Sequence, residues 1–243
     1  MKFPILFENT HALAIDKPAG VIVHPDDRQE EETIAHWFKK TYKVKIGEEG
    51  REGIVHRLDR NTTGVLILAK DNIAYTTFKK QFRDHSVRKV YRTIVEGHVR
   101  NDMGMISLPI ARARSDFRKR TVVDMFSKDQ RGEEREAITR YKVLERATDK
   151  KGKNYSYMEC YPLTGRTHQI RAHFRGIRHP IIGDDLYGSR DGSKVAPRSM
   201  LHSYSLTIEI PKDGGGKEEK IIISDIPEDM RDILKSLNFS DCI

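Results

Sequence analysis

The chain has 243 residues, of which 37% are hydrophobic and 33% are charged, and its two cysteines are too few for a disulfide framework or a zinc site built from thiolates. Its net charge of +8 favours a polyanionic partner, although charge that serves only solubility is an alternative. Because the two cysteines offer no disulfide framework, a reducing cytoplasm is the expected compartment. No apolar run approaches the roughly 20 residues of a membrane span, and the apolar stretch at the N-terminus is too short for a secretory signal.

The N-terminal part predicts a strand pair and a helix. Apolar residues on both sides of the turn Glu8-Asn9-Thr10 predict paired strands between residues 3 and 23, and Lys17-Pro18-Ala19-Gly20 forms a second turn. Residues 30 to 43 predict an amphipathic helix, because apolar side chains fall at helical spacing. Its core-facing residues are Ile34, Trp37, Phe38 and Tyr42.

Residues 53 to 69 place one carboxylate among cationic side chains. Val65 to Ala69 predict a buried strand, and Asn61-Thr62-Thr63-Gly64 favours a turn in front of it. Asp59 lies at the mouth of that turn, and beside it stand His56, Arg57 and Arg60. Because nearby positive charge keeps a carboxylate ionised, Asp59 suits a nucleophile better than a general acid. The alternative is a surface ion-pair cluster without a catalytic role.

The next segments predict a helix and a strand. Asp71 or Asn72 can cap the helix, and its buried face is predicted to comprise Ile73, Phe78 and Phe82. Residues 86 to 99 alternate between apolar and polar side chains, which predicts a strand. Tyr91 lies in that strand, where a tyrosine is usually a half-buried packing residue.

A basic stretch with one aromatic residue occupies residues 112 to 120. It suits an arm or hairpin that follows a phosphate backbone, and a solvated, partly disordered loop is the alternative. Residues 127 to 135 are charged and contain glycine, so we expect an exposed connection there.

The C-terminal half predicts two hairpins and two helices. Residues 137 to 147 pair with 155 to 162, and residues 204 to 210 pair with 220 to 223 across a glycine run. A short helix is predicted from Pro227 to Leu237.

The other predicted helix covers residues 167 to 175. Ile170 and Phe174 lie one turn apart on its apolar face, so Arg171 can leave the core toward a pocket. The histidines at and after this helix lack the cysteine or carboxylate company of a zinc site, so no metal is expected. These histidines are His168, His173 and His179.

Four strings resemble motifs of the RluA family of RNA pseudouridine synthases: Lys17 to His24, His56 to Gly64, Lys89 to Gly97 and Leu163 to His173. The second string closely resembles the family's active-site signature, with Thr63 where members usually carry Ser. The third string resembles the second conserved strand, and the fourth resembles the third motif. To the first string we assign the bracing of the loop that carries Asp59. The likeness runs from about residue 5 to residue 225, and it includes residues 179 to 188, which we interpret as structural.

The resemblance implies roles for individual residues. Asp59 corresponds to the catalytic nucleophile, Arg171 to the arginine that pairs with it, and Tyr91 to a tyrosine that lies against the target base and takes part in proton handling. Arg57 is expected to help fill the place that a flipped uridine leaves, and Ile170 to pack beneath the base pocket. Further candidate RNA contacts are His56, Arg60, Arg166 and His168.

The resemblance also implies the fold and the reaction. We expect a single α+β catalytic domain over residues 1 to 243, with a long, bent, mostly antiparallel mixed sheet, and no S4 RNA-binding domain in front of it. The expected reaction converts specific uridines of structured rRNA or tRNA to pseudouridine, in a monomer that needs no cofactor. Whether Asp59 attacks C1′ or C6, or helps to remove the C2′ proton, stays open.

Two other function classes are alternatives. A non-catalytic RNA-binding or RNA-folding protein would use the same basic charge, but a passive binder of phosphate gains nothing from Asp59 in its groove. A hydrolase that uses Asp59 with His56 would need a placed water and an oxyanion site, and the sequence contains no Ser or Cys nucleophile motif.

Overall fold

The computed structural model of this protein describes residues 1–25, 31–47, 51–123 and 130–240. Its helices are α1 (Ile34–Tyr42), α2 (Asn72–Arg83), α3 (Gln169–Gly176) and α4 (Glu228–Ser236). Its strands are β1 (Ile5–Glu8), β2 (Ala12–Lys17), β3 (Thr63–Ala69), β4 (Arg88–Glu96), β5 (Met103–Ser107), β6 (Ile110–Ala113), β7 (Arg120–Val122), β8 (Gln130–Arg135), β9 (Ile138–Thr148), β10 (Asn154–Pro162), β11 (Leu201–Pro211) and β12 (Lys217–Ile223). None of the helices in these ranges is long and apolar enough to cross a membrane.

The chain divides into two compact units. The first comprises Met1–Lys89 and Ser203–Asp225, and the second comprises Val90–His202 and Ile226–Ile243. The first unit has the strand order β1-β2-β3-β11, with β12 on β11. The second has the order β4-β10-β9-β5 and a separate three-stranded sheet, β7-β6-β8. The strand registers within the units are antiparallel, so the expected α+β class with mostly antiparallel strands is confirmed.

Strand β3 forms the centre of the first unit. All seven of its residues are buried, as the run of apolar and β-branched side chains predicts. Successive side chains point to opposite faces, and Val65 and Ile67 pack in one cluster with Phe78 of α2 and Leu206 of β11. Each apolar side chain of this size contributes about 1.5–3 kcal/mol when it is fully buried. The chain that leads into β3 is therefore anchored at its C-terminal end.

Helix α2 starts as predicted, and its buried side includes the predicted Phe78 and the partly buried Phe82 but not Ile73. The Asp71 side chain caps it by accepting a hydrogen bond from the Ala74 N–H at 2.8 Å. The prediction that Ile73 is buried is wrong, since 62% of this residue is exposed. The buried residues are Ala74, Phe78 and Gln81, spaced by four and three positions, and Ile73 lies about 100° around the helix from Ala74.

The basic stretch forms part of the three-stranded sheet. Strands β6 and β7 pair as a hairpin in which Arg112 lies opposite Arg120, as the hairpin prediction requires. The expected connection over residues 127 to 135 lies partly outside the described residues. Its described part, residues 130–135, is strand β8 on the other side of β6, so the prediction of a connection there is wrong, whereas the predicted exposure is confirmed for residues 131–135. The charged composition of this segment predicted a loop. Its pairing with β6 is a contact between distant parts of the sequence, which the composition of the segment cannot report.

Helix α3 confirms the helix predicted over residues 167 to 175. Ile170 and Phe174 are both buried, and the Phe174 ring lies 6.0 Å from that of Tyr141 in β9. The hairpin of β9 and β10 is also confirmed, and in its turn the Asp149 side chain accepts hydrogen bonds from the N–H groups of Lys151 and Lys153.

Candidate active site

A buried lysine holds the loop that carries Asp59. The Lys17 side chain is fully buried, and its ammonium donates to the carbonyl oxygens of Arg60 at 2.8 Å, Thr62 at 3.0 Å and Pro18 at 2.9 Å. The Gly20 N–H donates to the Arg60 carbonyl at 2.9 Å. A buried ammonium is tolerated only where polar groups replace its water, and these carbonyls do so. Lys17 and Gly20 thus make the contacts that the bracing role predicted for Lys17 to His24 requires.

Asp59 opens a tight turn into β3. The Thr62 N–H donates to the Asp59 carbonyl at 3.1 Å, which closes the turn. Leu58 on one side and Thr62 and Thr63 on the other are buried, whereas Asp59 itself is half-buried. Its carboxylate is therefore carried by a short segment with anchored ends, which limits how far it can move.

His56 ties the same loop to β3 and α2. Its Nε2 accepts a hydrogen bond from the Ile67 N–H at 3.0 Å, and its ring stacks on Phe82 with a centroid distance of 4.6 Å. Burial, with a smaller effect from the charge of Lys89, lowers the pKa of His56 to about 3. The ring is therefore neutral, with its proton on Nδ1 and its lone pair used by Ile67. That arrangement is unfavourable for the alternative in which His56 serves as the base of a hydrolase.

The two arginines of the signature loop are exposed. The Arg57 Nη1 donates to His24 Nε2 at 3.2 Å, and Arg57 lines a cavity of about 150 Å³ together with Arg51, Tyr75 and Lys79. The Arg60 Nε donates to the Gly20 carbonyl at 3.1 Å, and its Nη2 lies 3.0 Å from Glu31. Both guanidinium groups lie where RNA could reach them, and their RNA contacts stay predictions.

In the second unit, Arg171 is held by a carboxylate that the sequence reasoning did not pair with it. Its Nε donates to Asp184 Oδ2 at 2.6 Å, and its Nη2 donates to Asp184 Oδ1 at 2.8 Å. The side chains are 8% and 0% exposed. The guanidinium also lies over the Tyr187 ring, with Cζ 5.1 Å from the ring centroid. The sequence signal for Asp184 was a carboxylate two residues after the apolar pair Ile181-Ile182, because a carboxylate carried into the interior beside such a pair requires a partner.

Asp184 stays ionised in spite of its burial. Burial alone raises the pKa of this carboxyl, but the hydrogen bond and charge of Arg171 and the N–H groups of Tyr187 and Leu186 outweigh it. The pKa of Asp184 therefore lies below its ordinary value.

The residues before Arg171 are fixed by their own hydrogen bonds. The Gln169 side chain accepts from the Thr164 hydroxyl at 2.7 Å and donates to the Ile138 carbonyl at 3.0 Å. The Arg166 Nε donates to the Glu136 carbonyl at 3.0 Å, which draws this predicted RNA contact toward the backbone. Ile170 is 5% exposed and belongs to the packed face of α3.

The three histidines at and after α3 have separate hydrogen-bond partners. Nδ1 of His168 lies 3.0 Å from the Tyr187 hydroxyl, and Nδ1 of His173 lies 2.9 Å from the Thr139 hydroxyl. Nδ1 of His179 lies 2.8 Å from the Glu96 carbonyl. Within the described residues, no group of three or more His, Cys, Asp or Glu side chains could hold a metal ion.

Tyr91 is a partly exposed residue of β4. It lies opposite the buried Cys160 of β10 and on the face of β4 that also carries Thr93 and Val95. Its role in proton handling stays a prediction, as does the pairing of Asp59 with Arg171. The first unit thus brings together His56, Arg57, Asp59 and Arg60, and the second carries Tyr91, Arg166, His168, Ile170 and Arg171.

The fold is that of solved pseudouridylate synthase domains. The structure of human RNA Pseudouridylate Synthase Domain Containing 1 matches with a TM-score of 0.72 and 23% identity, over 97% of this chain and 94% of that one. Human RNA Pseudouridylate Synthase Domain Containing 4 matches with a TM-score of 0.70 and 25% identity, over 96% of this chain and 92% of that one.

The sequence comparisons agree with the fold. Residues 11–175 match the family model described as RNA pseudouridylate synthase. The chain is 36% identical over 228 residues to "Ribosomal large subunit pseudouridine synthase D" of Borreliella burgdorferi, and this alignment covers 92% of this chain and 65% of that protein. It is 34% identical over 247 residues to the protein of the same name from Zymomonas mobilis, and this alignment covers 98% of this chain and 73% of that protein. The chain spans about two thirds of the length of these curated relatives. This protein belongs to the RNA pseudouridylate synthase family.

Proposed function

We propose that this protein isomerises specific uridines in RNA to pseudouridine and that Asp59 is its nucleophile or base. The observation that carries the proposal is that the buried ammonium of Lys17 binds two carbonyls of the loop that contains Asp59. The chain also belongs to this family. A carboxylate fixed in this way is suited to attack or to take a proton at one defined atom.

The reaction rearranges bonds within one nucleotide. The C1′–N1 bond breaks, the uracil rotates, and C5 bonds to C1′, while C5 loses a proton and N1 gains one. No electrons are exchanged with another molecule. The target base has to leave its stack, so uridines in loops are the easier substrates. In this scheme Arg171 pairs with Asp59, Tyr91 lies against the base, Ile170 packs beneath it, and Arg57 helps to fill the vacated place.

The RNA surface includes the signature loop and the basic hairpin of β6 and β7. Further contacts are assigned to His56, Arg60, Arg166 and His168. The net charge of +8 supports a polyanionic substrate. The exposed Arg118 and the half-buried Lys119, in the link between β6 and β7, suit contacts to phosphates, which position RNA without selecting a sequence.

The names of the two relatives favour the large ribosomal subunit RNA as substrate, with tRNA as the second candidate. We further propose that the protein acts as a monomer in the cytoplasm. Its two cysteines suit a reducing compartment, and size-exclusion chromatography with light scattering tests the monomer.

Release of tritium from RNA that carries [5-³H]uridine tests the reaction, because pseudouridine formation expels the hydrogen on C5. We expect release from large-subunit rRNA transcripts and little from tRNA transcripts. Release from tRNA alone would move the substrate to tRNA, whereas RNA binding without release from either would favour the RNA-binding alternative.

A further inference from the structure

We infer that Asp184 is the positioning residue that orients Arg171 for the reaction. This inference rests on the proposed function, in which Arg171 acts on the catalytic carboxylate. Asp184 acts through the guanidinium and need not touch the RNA. Both residues lie in the second unit.

The first support is the geometry of the pair. Asp184 accepts from Nε and Nη2, which lie on one edge of the guanidinium, at 2.6 and 2.8 Å. A two-pronged contact of this kind fixes both the position and the rotation of the group within its plane. A catalytic carboxylate would therefore accept hydrogen bonds mainly from Nη1 of Arg171.

The second support is that Asp184 cannot follow the guanidinium if it moves. Oδ1 also accepts from the N–H groups of Leu186 at 3.0 Å and Tyr187 at 2.9 Å, and Oδ2 accepts from the Ser199 hydroxyl at 3.3 Å. The side chain is fully buried. Contacts from two backbone groups and a hydroxyl make Asp184 a fixed point rather than a mobile counter-ion.

The third support is that the plane of the guanidinium is also restrained. The Tyr187 ring lies beneath Arg171 at 5.1 Å, and its hydroxyl accepts a hydrogen bond from the Arg120 N–H of β7 at 2.6 Å. Asp184 thus holds the edge and Tyr187 holds the face. Asp185, with its side chain 72% exposed and 3.5 Å from Nη2, adds little to this restraint.

The second unit contains another Arg–Asp pair for comparison, in which the Asp229 side chain is 39% exposed. The Arg198 Nε donates to Asp229 Oδ2 at 2.7 Å, and its Nη2 donates to Asp229 Oδ1 at 2.9 Å. The contact has the same two-pronged form, and it joins α4 to the segment before β11. Loss of either carboxylate should lower stability, because each leaves a largely buried guanidinium without its counter-charge. Only the loss of Asp184 should change the reaction itself.

The experiment compares Asp184→Asn with Asp229→Asn on tritium-labelled RNA, well below the melting temperature of each variant. We expect Asp184→Asn to lower kcat by about 10- to 100-fold, the effect of a displaced catalytic group, while the RNA Kd stays within about twofold. Asp229→Asn should keep kcat within about twofold of wild type. Asp184→Glu, which restores a carboxylate, should recover part of the loss. Where Asp184→Asn does not fold, Ser199→Ala loosens Asp184 more gently and should lower kcat several-fold.

The Nε–H signal of Arg171 in a nitrogen-15 NMR spectrum gives a readout that needs no activity. It is assigned by its absence in Arg171→Lys, and we expect slow hydrogen exchange in wild type and fast exchange in Asp184→Asn. Equal kcat in Asp184→Asn and Asp229→Asn, or unchanged exchange, overturns the inference. A wild-type protein without tritium release from any RNA contradicts the proposed function instead, and the NMR signal then still decides whether Asp184 holds Arg171.

Discussion

Replacement of Lys17 tests whether the buried ammonium holds the catalytic loop. Lys17→Met keeps most of the apolar stem and leaves the carbonyls of Arg60 and Thr62 without this donor. An unsatisfied buried polar group costs about 1–3 kcal/mol, and the relief from burying a charge offsets part of that. We therefore expect the free energy of unfolding to fall by about 3 kcal/mol, or about 6–12 °C in Tm for a chain of this size.

Calorimetry measures the shift, and Lys70→Met is the control in the same unit. The Lys70 ammonium contacts Glu8 at 2.9 Å and the Asn9 carbonyl at 2.8 Å, but its side chain is 20% exposed. Its loss should cost about 1 kcal/mol or less. A Lys17→Met protein that melts within about 2 °C of wild type would refute the bracing role, because loss of that role requires a larger shift.

Three further predictions concern pH, salt and the proposed ion pair. Because the pKa of His56 is about 3 in the folded protein and near 6.5 when unfolded, the unfolded state takes up the proton first and stability is lost as pH falls from about 6.5 toward 3. Urea titrations at several pH values should show that His56 contributes a loss of at most about 1.4 kcal/mol in the free energy of unfolding per pH unit. If His56→Asn showed the same dependence of stability on pH as wild type, the lowered pKa of His56 would be refuted. RNA binding should weaken with salt, with a log–log slope of about 0.7 to 0.9 per phosphate contact. That slope should become shallower, with the same uridine modified, when Ala replaces the hairpin residues Arg118, Lys119 and Arg120. The double variant Asp59→Asn with Arg171→Ala should lose about 0.5–3 kcal/mol less stability in thermal unfolding than the two single variants lose together. Strict additivity would show that the two residues do not interact.

Local patterns predicted the elements whose residues carry their own signal. The apolar run from Val65 to Ala69 predicted β3, and the spacing of Ile170 and Phe174 predicted α3, since both patterns report a face that has to be buried. Strand β8 was missed because its residues are mostly charged and exposed, and its strand conformation is seen in its pairing with β6. No periodicity within a segment reports such a contact.

The candidate site was predictable only in part for the same reason. The string around Asp59 identified the loop, and the Lys17 motif identified its brace, because each is a dense local signature. Asp184 lies 13 positions after Arg171, beyond the end of α3, so their pairing depends on how the chain returns. Ile73 shows a different kind of error. This apolar residue fits the helical spacing of α2, but it lies beside the buried face of the helix and is exposed.

The most direct test of the central claim is the turnover of Asp59→Asn. The change keeps the size of the side chain and removes its charge, so the protein should fold and bind RNA with a Kd within about twofold of wild type, since RNA affinity comes mainly from cationic contacts to phosphate. We expect no detectable tritium release from [5-³H]uridine RNA. Asp191→Asn removes a carboxylate that is 74% exposed and should release tritium at the wild-type rate. A substantial fraction of wild-type release by Asp59→Asn would contradict the role of Asp59 in the reaction.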